Sequence, residues 1–290
     1  MSAAIAPHSV SRLFDDARKR LSQAGFPTPD LDAGLLLEFA TGATTLDRIT
    51  DPGKTVDAEK AARFEACLVR RLSGEPAHRI LGEREFYGLP LKLNASTLVP
   101  RPDTETLVDL VLPFVRETAA RTGACRILDV GTGSGAIALA LLAEVPEAVA
   151  IGTDVSEEAL DMADANAAAL GLDDRFGFVL SNWFEAITDE FDLIVSNPPY
   201  IRSADIAGLA PDVRDHDPMA ALDGGTDGLS AYRVLASQAP AFLAPDGALA
   251  VEIGYDQKAD VTQLFAQAGM RLSAERADYA GNDRALFFIK

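Results

Sequence analysis

Two short runs carry side chains and backbone groups that could do chemistry. The first is Asp129-Val130-Gly131-Thr132-Gly133-Ser134-Gly135-Ala136, which follows an apolar stretch and precedes a helical pattern. Glycines there let the chain bend tightly and approach a ligand closely, and the following helix start offers free N–H groups. Nineteen residues after Gly135, Asp154 closes a second apolar stretch, placed to accept hydrogen bonds from two ribose hydroxyls. Together these mark a nucleoside cofactor site. They leave the cofactor open between S-adenosylmethionine, a dinucleotide and a purely structural glycine turn, because Gly131-x-Gly133-x-x-Ala136 fits the permissive dinucleotide fingerprint as well as the methyltransferase loop.

The second run, Phe191-Asp-Leu-Ile-Val-Ser-Asn197-Pro198-Pro199-Tyr200, discriminates among them. It ends an apolar strand in a polar amide, two prolines and an aromatic ring. Prolines remove N–H groups and lock φ, so they hold Asn197 and the Pro198 carbonyl stiffly at the strand end. A planar NH2 group is a poor nucleophile because its lone pair is delocalised. Two acceptors, the Asn197 side-chain oxygen and the Pro198 carbonyl, can each take one N–H, orient the nitrogen and favour the positive charge that develops as a methyl group arrives. Tyr200 is expected to pack on the flat or aliphatic part of the substrate. No dedicated general base is required.

The elements that must position these groups follow from periodicity. From Arg126 onward, strand-length apolar runs at 126–130, 149–155, 176–180, 192–196 and 248–253 alternate with helical patterns at 136–144, 157–170, 229–240 and 257–268. That alternation predicts an α/β domain with a parallel sheet covered on both faces. Segments 272–276 and 285–289, joined by a Gly281-Asn-Asp turn, predict a terminal antiparallel hairpin. Before residue 85 the pattern is helical. Val10, Leu13, Phe14, Ala17 and Leu21 share one face; a second helix runs through Leu31, Leu35, Leu36 and Phe39; a third, 57–72, turns Ala61, Phe64, Leu68 and Leu72 inward and Arg63, Arg70 and Arg71 outward. The expected domains are a helical bundle over 1–85, a hairpin linker over 86–100 around a Gly-Leu-Pro turn, and a catalytic domain over 101–290.

These runs, with Asn182-Trp183, resemble the class I methyltransferases that modify amide or amino nitrogen. Further runs resemble one branch: Gly74-Glu-Pro-Ala-His-Arg-Ile-Leu-Gly82, Leu98-Val-Pro-Arg-Pro-Asp-Thr-Glu105, Asp212-Val-Arg-Asp-His-Asp-Pro-Met-Ala-Ala-Leu-Asp-Gly-Gly225 and Asp278-Tyr-Ala-Gly-Asn-Asp-Arg284. That branch is the HemK or PrmC family, the protein-(glutamine-N5) methyltransferases of peptide chain release factors. The resemblance implies a class I, Rossmann-like fold, S-adenosylmethionine as cofactor, and as substrate the glutamine of the release-factor Gly-Gly-Gln loop. It implies that Gly131, Thr132, Gly133, Ser134 and Gly135 line the cofactor, that Asp154 binds its ribose, and that Asn182 and Trp183 meet the adenine. Asn197, Pro198, Pro199 and Tyr200 would hold the glutamine amide, with Asn197 also beside the cofactor. The family often has Asp where Asn182 stands, which implies a weaker adenine contact here.

Charge and composition bear on partners. Lys+Arg 26 against Asp+Glu 44 give a net charge of -18. The first 85 residues hold 12 basic and 13 acidic groups, so residues 86–290 carry net -17. An adenine-N6 methyltransferase acting on DNA or RNA could use the same Asn-Pro-Pro-Tyr run, but it would need a basic groove, and the acidic catalytic part argues against one. A non-catalytic translation-factor binding module is the other alternative. Cys67 and Cys125 form no C-x-x-C pair, and His8, His78 and His216 are scattered, so no metal is expected. Asp212, Asp215 and Asp217 lack calcium-loop spacing, and Gly53-Lys54-Thr55 resembles a phosphate loop only until Arg48, which stands where its first glycine belongs. Met1 to Val10 carries no export signal and no apolar run is long enough to span a bilayer, which predicts a cytoplasmic chain, expected to be monomeric. Labelled methyl transfer to nucleic acid, with none to release factor, would reverse the order of these readings.

Overall fold

A computed structural model of the chain describes residues 8–290. Most of the Met1–Val10 segment expected to lack an export signal lies outside the described residues. The chain forms two compact units, divided between Gly82 and Glu83. Among the described residues no helix is long and apolar enough to cross a membrane.

The first unit is helical: α1 (Val10–Gln23), α2 (Pro29–Thr41), α3 (Thr45–Thr50), α4 (Ala58–Leu72) and α5 (Ala77–Leu81). The short helices α3 and α5 were not legible as periodic patterns. α3 exists through its capping box, in which Thr44 and Asp47 satisfy each other's backbone N–H groups. Val10, Ala17 and Leu21 of α1, Leu36 and Leu37 of α2, and Phe64 and Leu68 of α4 build its core. Leu31, expected among the apolar residues of α2, is 59% exposed. Arg71, expected on the outer face of α4, is buried. Its Nε donates to Asp32 at 2.8 Å, and its guanidinium lies 4.1 Å from the Phe26 ring centroid. The guanidinium's planar fork can be paired and stacked at once, which makes arginine tolerable in a core where lysine would not be.

The second unit begins with an antiparallel hairpin, β1 (Glu83–Phe86) and β2 (Leu89–Lys92). Expected over 86–100 and around Gly-Leu-Pro, it instead lies three residues earlier and turns at Tyr87-Gly88. Both turn residues have positive φ, 52° and 76°, the left-handed pair that matches strand twist in two-residue hairpins. Pro90 falls within β2, opposite Glu85. A single 3₁₀ turn at Pro102–Thr104 leads into α6 (Glu105–Thr122).

The main sheet follows: β3 (Cys125–Val130), α7 (Ala136–Glu144), β4 (Ala148–Asp154), α8 (Glu157–Leu170), β5 (Phe176–Leu180), β6 (Phe191–Ser196), the short α9 (Pro211–Arg214), α10 (Ser230–Gln238), β7 (Leu243–Glu252), α11 (Lys258–Gln267), β8 (Arg271–Ala277) and β9 (Asp283–Ile289). Its strand order is β5-β4-β3-β6-β7-β9-β8, parallel through β7, with β9 and β8 antiparallel. The pleat sorts residues onto two faces: Ile127, Leu193 and Ala250 face one core, Leu128, Ile194 and Leu249 the other. Both faces are covered, so the strands read as continuous apolar runs.

The Arg71–Asp32 pair gives the first test. Asp32→Ala removes the Asp32 carboxylate from a buried guanidinium that still donates to the Glu75 carbonyl, and should cost about 3 kcal/mol. Urea unfolding followed by circular dichroism should show an earlier helical transition; an unchanged midpoint would show the pair to be dispensable.

Candidate active site

Strand order reverses between β3 and β6, and at such a point the flanking helices diverge and leave a crevice beyond the strand carboxyl ends. There the structure has a cavity of about 340 Å³. Gly131, Thr132, Gly133 and Ser134 line it from the end of β3, Asp154 from β4, Ser181 and Trp183 from beyond β5, and Asn197, Pro198 and Pro199 from β6.

The glycine loop is fastened to β4. Gly131 and Thr132 donate their N–H groups to the Thr153 carbonyl, each at 2.8 Å. The Asp154 carboxylate accepts from the Gly133 N–H and the Ser156 N–H, both at 3.0 Å. Beneath the loop Asp129 is fully buried; it accepts from the Thr132 hydroxyl at 2.8 Å, and burial pushes its carboxyl up to about 7. Asn166 on α8 reaches in from the other side, donating to the Ser134 carbonyl at 2.9 Å and exchanging bonds with the Lys92 backbone of β2. The hairpin thereby braces the loop. Gly152 permits the close approach of loop and strand: a Cβ there would stand 2.8 Å from Thr132 Cγ2 and 2.9 Å from Phe176 Cζ.

Three expected residues lie off the cavity wall. Gly135, with φ 83°, turns the chain into α7. Asn182 is exposed and donates its side-chain amide to Glu185 at 2.8 Å. Tyr200, expected across the substrate, points its hydroxyl inward to Glu252 at 3.1 Å. Trp183 does line the cavity, and it does so in a left-handed backbone conformation, φ 56°, that is costly for a bulky residue. The Ser181 hydroxyl holds it there, donating to the Trp183 carbonyl at 3.0 Å and accepting the Ala186 N–H.

The end of β6 is the most heavily supported part of the site. Ser196 donates to the Val130 carbonyl at 2.7 Å, locking β6 to β3 one residue before Asn197. Asn197 donates its Nδ2 to the Thr104 hydroxyl at 3.1 Å. Gln257, almost fully buried, donates to the carbonyls of Tyr200 and Gly228 at 3.0 and 3.1 Å and accepts the Gly254 N–H. Arg101 lines the cavity and binds the buried Asp217 at 2.6 Å, which draws the loop of Pro218, Ala220 and Ala221 onto the wall. Asp217 is thus an anchor of this loop. His216 does not line the cavity. Thr104, Glu252, Gln257, Asn166 and Arg101 carry no local sequence signal of a role beyond the fact that Arg101 and Thr104 stand within a family-like run.

The wall suits S-adenosylmethionine. Asp154 retains acceptor capacity beyond its two backbone bonds, an added Cβ at Gly131 or Gly133 would meet nothing within 4 Å, and Trp183 offers a flat apolar surface. A glycine loop and an Asn-Pro-Pro strand end sharing one crevice at the switch point of a mostly parallel sheet are arranged as in the class I S-adenosylmethionine-dependent methyltransferases, and similarity to known proteins falls within that class. Residues 12–82 match the PrmC N-terminal domain and residues 109–210 the methyltransferase small domain. The chain is 54% identical to the release factor glutamine methyltransferase of Agrobacterium fabrum over 97% of both chains, and 48% identical to that of Bradyrhizobium diazoefficiens over 92% of this chain and 90% of the other. A solved methyltransferase from Pyrococcus furiosus shares the fold, with a TM-score of 0.51 at 20% identity over 70% of this chain and 89% of that one. The chain belongs to the release factor glutamine methyltransferase family.

Gly152→Ala tests the loop's dependence on β4. The added methyl must displace Thr132, an overpacking cost of about 1–3 kcal/mol. Calorimetric titration should show S-adenosylmethionine binding weakened by about tenfold or more; unchanged affinity would mean that the loop tolerates the shift.

Proposed function

We propose that this enzyme methylates the side-chain nitrogen of the glutamine in the Gly-Gly-Gln loop of peptide chain release factors. The observation that carries the reading is the rigid acceptor pair of Asn197 and Pro198 at the switch-point cavity, in a chain whose relatives over nearly their full length are release factor glutamine methyltransferases. Bound S-adenosylmethionine supplies an electrophilic methyl group on a sulfonium sulfur. Gly131 to Ser134 and Asp154 would hold that cofactor, and Trp183 would offer its ring to the base.

The chain's own contribution is orientation and electrostatics. Asn197 Oδ1 and the Pro198 carbonyl each accept one N–H of the glutamine amide, which fixes the nitrogen and leaves a face open for in-line attack. As the N–C bond forms and the S–C bond breaks, positive charge grows on nitrogen, and the two oxygens stabilise it. The alkylated nitrogen is acidic enough to release its extra proton to water, so no side-chain base is needed. Pro198 and Pro199 donate no N–H and restrict φ, so the acceptor pair is prepaid in entropy. Tyr200 serves as an anchor of the turn through Glu252.

In this reading the enzyme acts as a monomer in the cytoplasm, where translation ends. The helical unit docks the body of the release factor in this reading, and its outward cations include Arg63 and Arg70. Reversing these two to Glu should raise the KM for intact release factor while leaving that for a short loop peptide unchanged. Equal effects on both substrates would count against docking.

Asn197→Ala should abolish methyl transfer, read by mass spectrometry of the loop peptide, while S-adenosylmethionine affinity falls by less than about tenfold. Full activity in that variant would overturn the assignment.

A further inference from the structure

The site is backed by a carboxylate that the reaction above leaves without a role. Glu252, the last residue of β7, is 1% exposed. Its Oε1 accepts the Tyr200 hydroxyl at 3.1 Å, while its Oε2 is buried with no hydrogen-bond partner. Thr104, itself buried, lies close enough to the same carboxyl to favour its charged form although no hydrogen bond joins the two as placed, Arg284 adds a nearby positive charge, and Asp103 a negative one. Tyr232 donates to the Glu252 backbone carbonyl at 2.9 Å, so the residue is held in place from behind. Burial raises the carboxyl's pKa, while Thr104, Arg284 and Tyr200 favour its ionised form.

Thr104 stands between this carboxylate and the acceptor pair, because its hydroxyl accepts the Asn197 Nδ2 at 3.1 Å. A threonine hydroxyl owns a single hydrogen. Given to Glu252, that hydrogen meets a buried acceptor that otherwise has none, and Thr104 Oγ1 can then only accept from Asn197. The carbamoyl group must present NH2 to Thr104 and its oxygen to the cavity. Were Glu252 replaced by a group able to donate, the Thr104 hydrogen could turn toward Asn197 and the amide could rotate by 180°. The cavity would then offer NH2 to the NH2 of a glutamine, donor against donor.

We propose that Glu252 is a positioning residue which, through Thr104, fixes the orientation of the Asn197 amide and so makes the site select a carboxamide over a carboxylate side chain. This rests on the glutamine-methylating reading above. A site whose polar groups match one partner rejects an isostere with reversed hydrogen bonding by orders of magnitude, because the mismatch leaves buried groups unpaired.

The test uses full-length enzyme and two loop peptides, one with the central Gln and one with Glu in its place. Wild type should methylate the Gln peptide and be inhibited only weakly by the Glu peptide. In Glu252→Gln, kcat for the Gln peptide should fall, and the ratio of the Glu-peptide inhibition constant to the Gln-peptide KM should drop by about tenfold or more. Thr104→Val, which removes the relay from the other side, should lower the same ratio and decides the matter alone if Glu252→Gln does not fold. Folded variants that lose turnover but keep the wild-type ratio would overturn the proposal while leaving the glutamine-methylating reading intact. Failure of wild type to methylate the Gln peptide would instead remove that reading.

Discussion

The constraint on which the rest depends is the reversal of strand order between β3 and β6. On either side of that point the crossovers carry their helices in opposite directions, so the carboxyl ends of the two central strands are left without a cover. Backbone groups there must be satisfied by loops or by a ligand. The central groups of the site follow strands that end along this opening: the glycine loop on β3, Asp154 on β4, Asn197 on β6. The two buried strand faces immediately below make the loops inherit a rigid base, because a packed apolar layer deforms little.

A crevice of this kind is useful only if its polar wall does not relax. Each wall segment is accordingly held by a side chain from an element distant in sequence. Asn166 on α8 braces the glycine loop, Gln257 at the start of α11 holds the carbonyl of Tyr200, and Arg101 holds Asp217 of the loop before α10. These bonds lie in partly or fully buried surroundings, where a lost partner costs more than the bond is worth in water. The positive φ of Trp183 fits the same pattern: an unfavourable backbone conformation is maintained at the cavity wall because Ser181 over-determines it.

The division between what the sequence disclosed and what it hid follows the range of the interactions. Gly131 to Gly135, Asp154 and Asn197 to Tyr200 are legible because their chemistry is written in contiguous residues at strand ends, and the parallel sheet is legible because burial on both faces makes its strands continuously apolar. Thr104 and Asn197 are 93 residues apart, and Tyr200 and Glu252 are 52 apart, so nothing local relates them. Glu252 even reads as the polar end of an ordinary strand. Arg71 misled for the opposite reason. Its position among exposed arginines of α4 suggested a solvated face, and only Asp32 and Phe26, 39 and 45 residues earlier, make burial possible. The hairpin was displaced because Gly88 and Pro90 both signal turns, and the tie is broken by Tyr87, whose hydroxyl binds Asp109 and whose N–H binds Glu105.

The choice of an amide rather than a carboxylate at position 197 has a physical logic that also accounts for Glu252. An aspartate there would accept on both oxygens and would need no backing, but it would place a full charge on the substrate nitrogen and favour a cationic group over a neutral one. An asparagine offers one acceptor and no charge, which matches a neutral carboxamide. Its cost is that a carbamoyl group has two orientations of nearly equal shape and opposite polarity. Some group must break that symmetry. Placing an acceptor further back, at Glu252 behind Thr104, breaks it while keeping a carboxyl group out of contact with the reacting atoms. The buried carboxylate is tolerable there because Tyr200, Arg284 and Thr104 face it, and because the remaining desolvation is the price of an oriented acceptor where the methyl group is received.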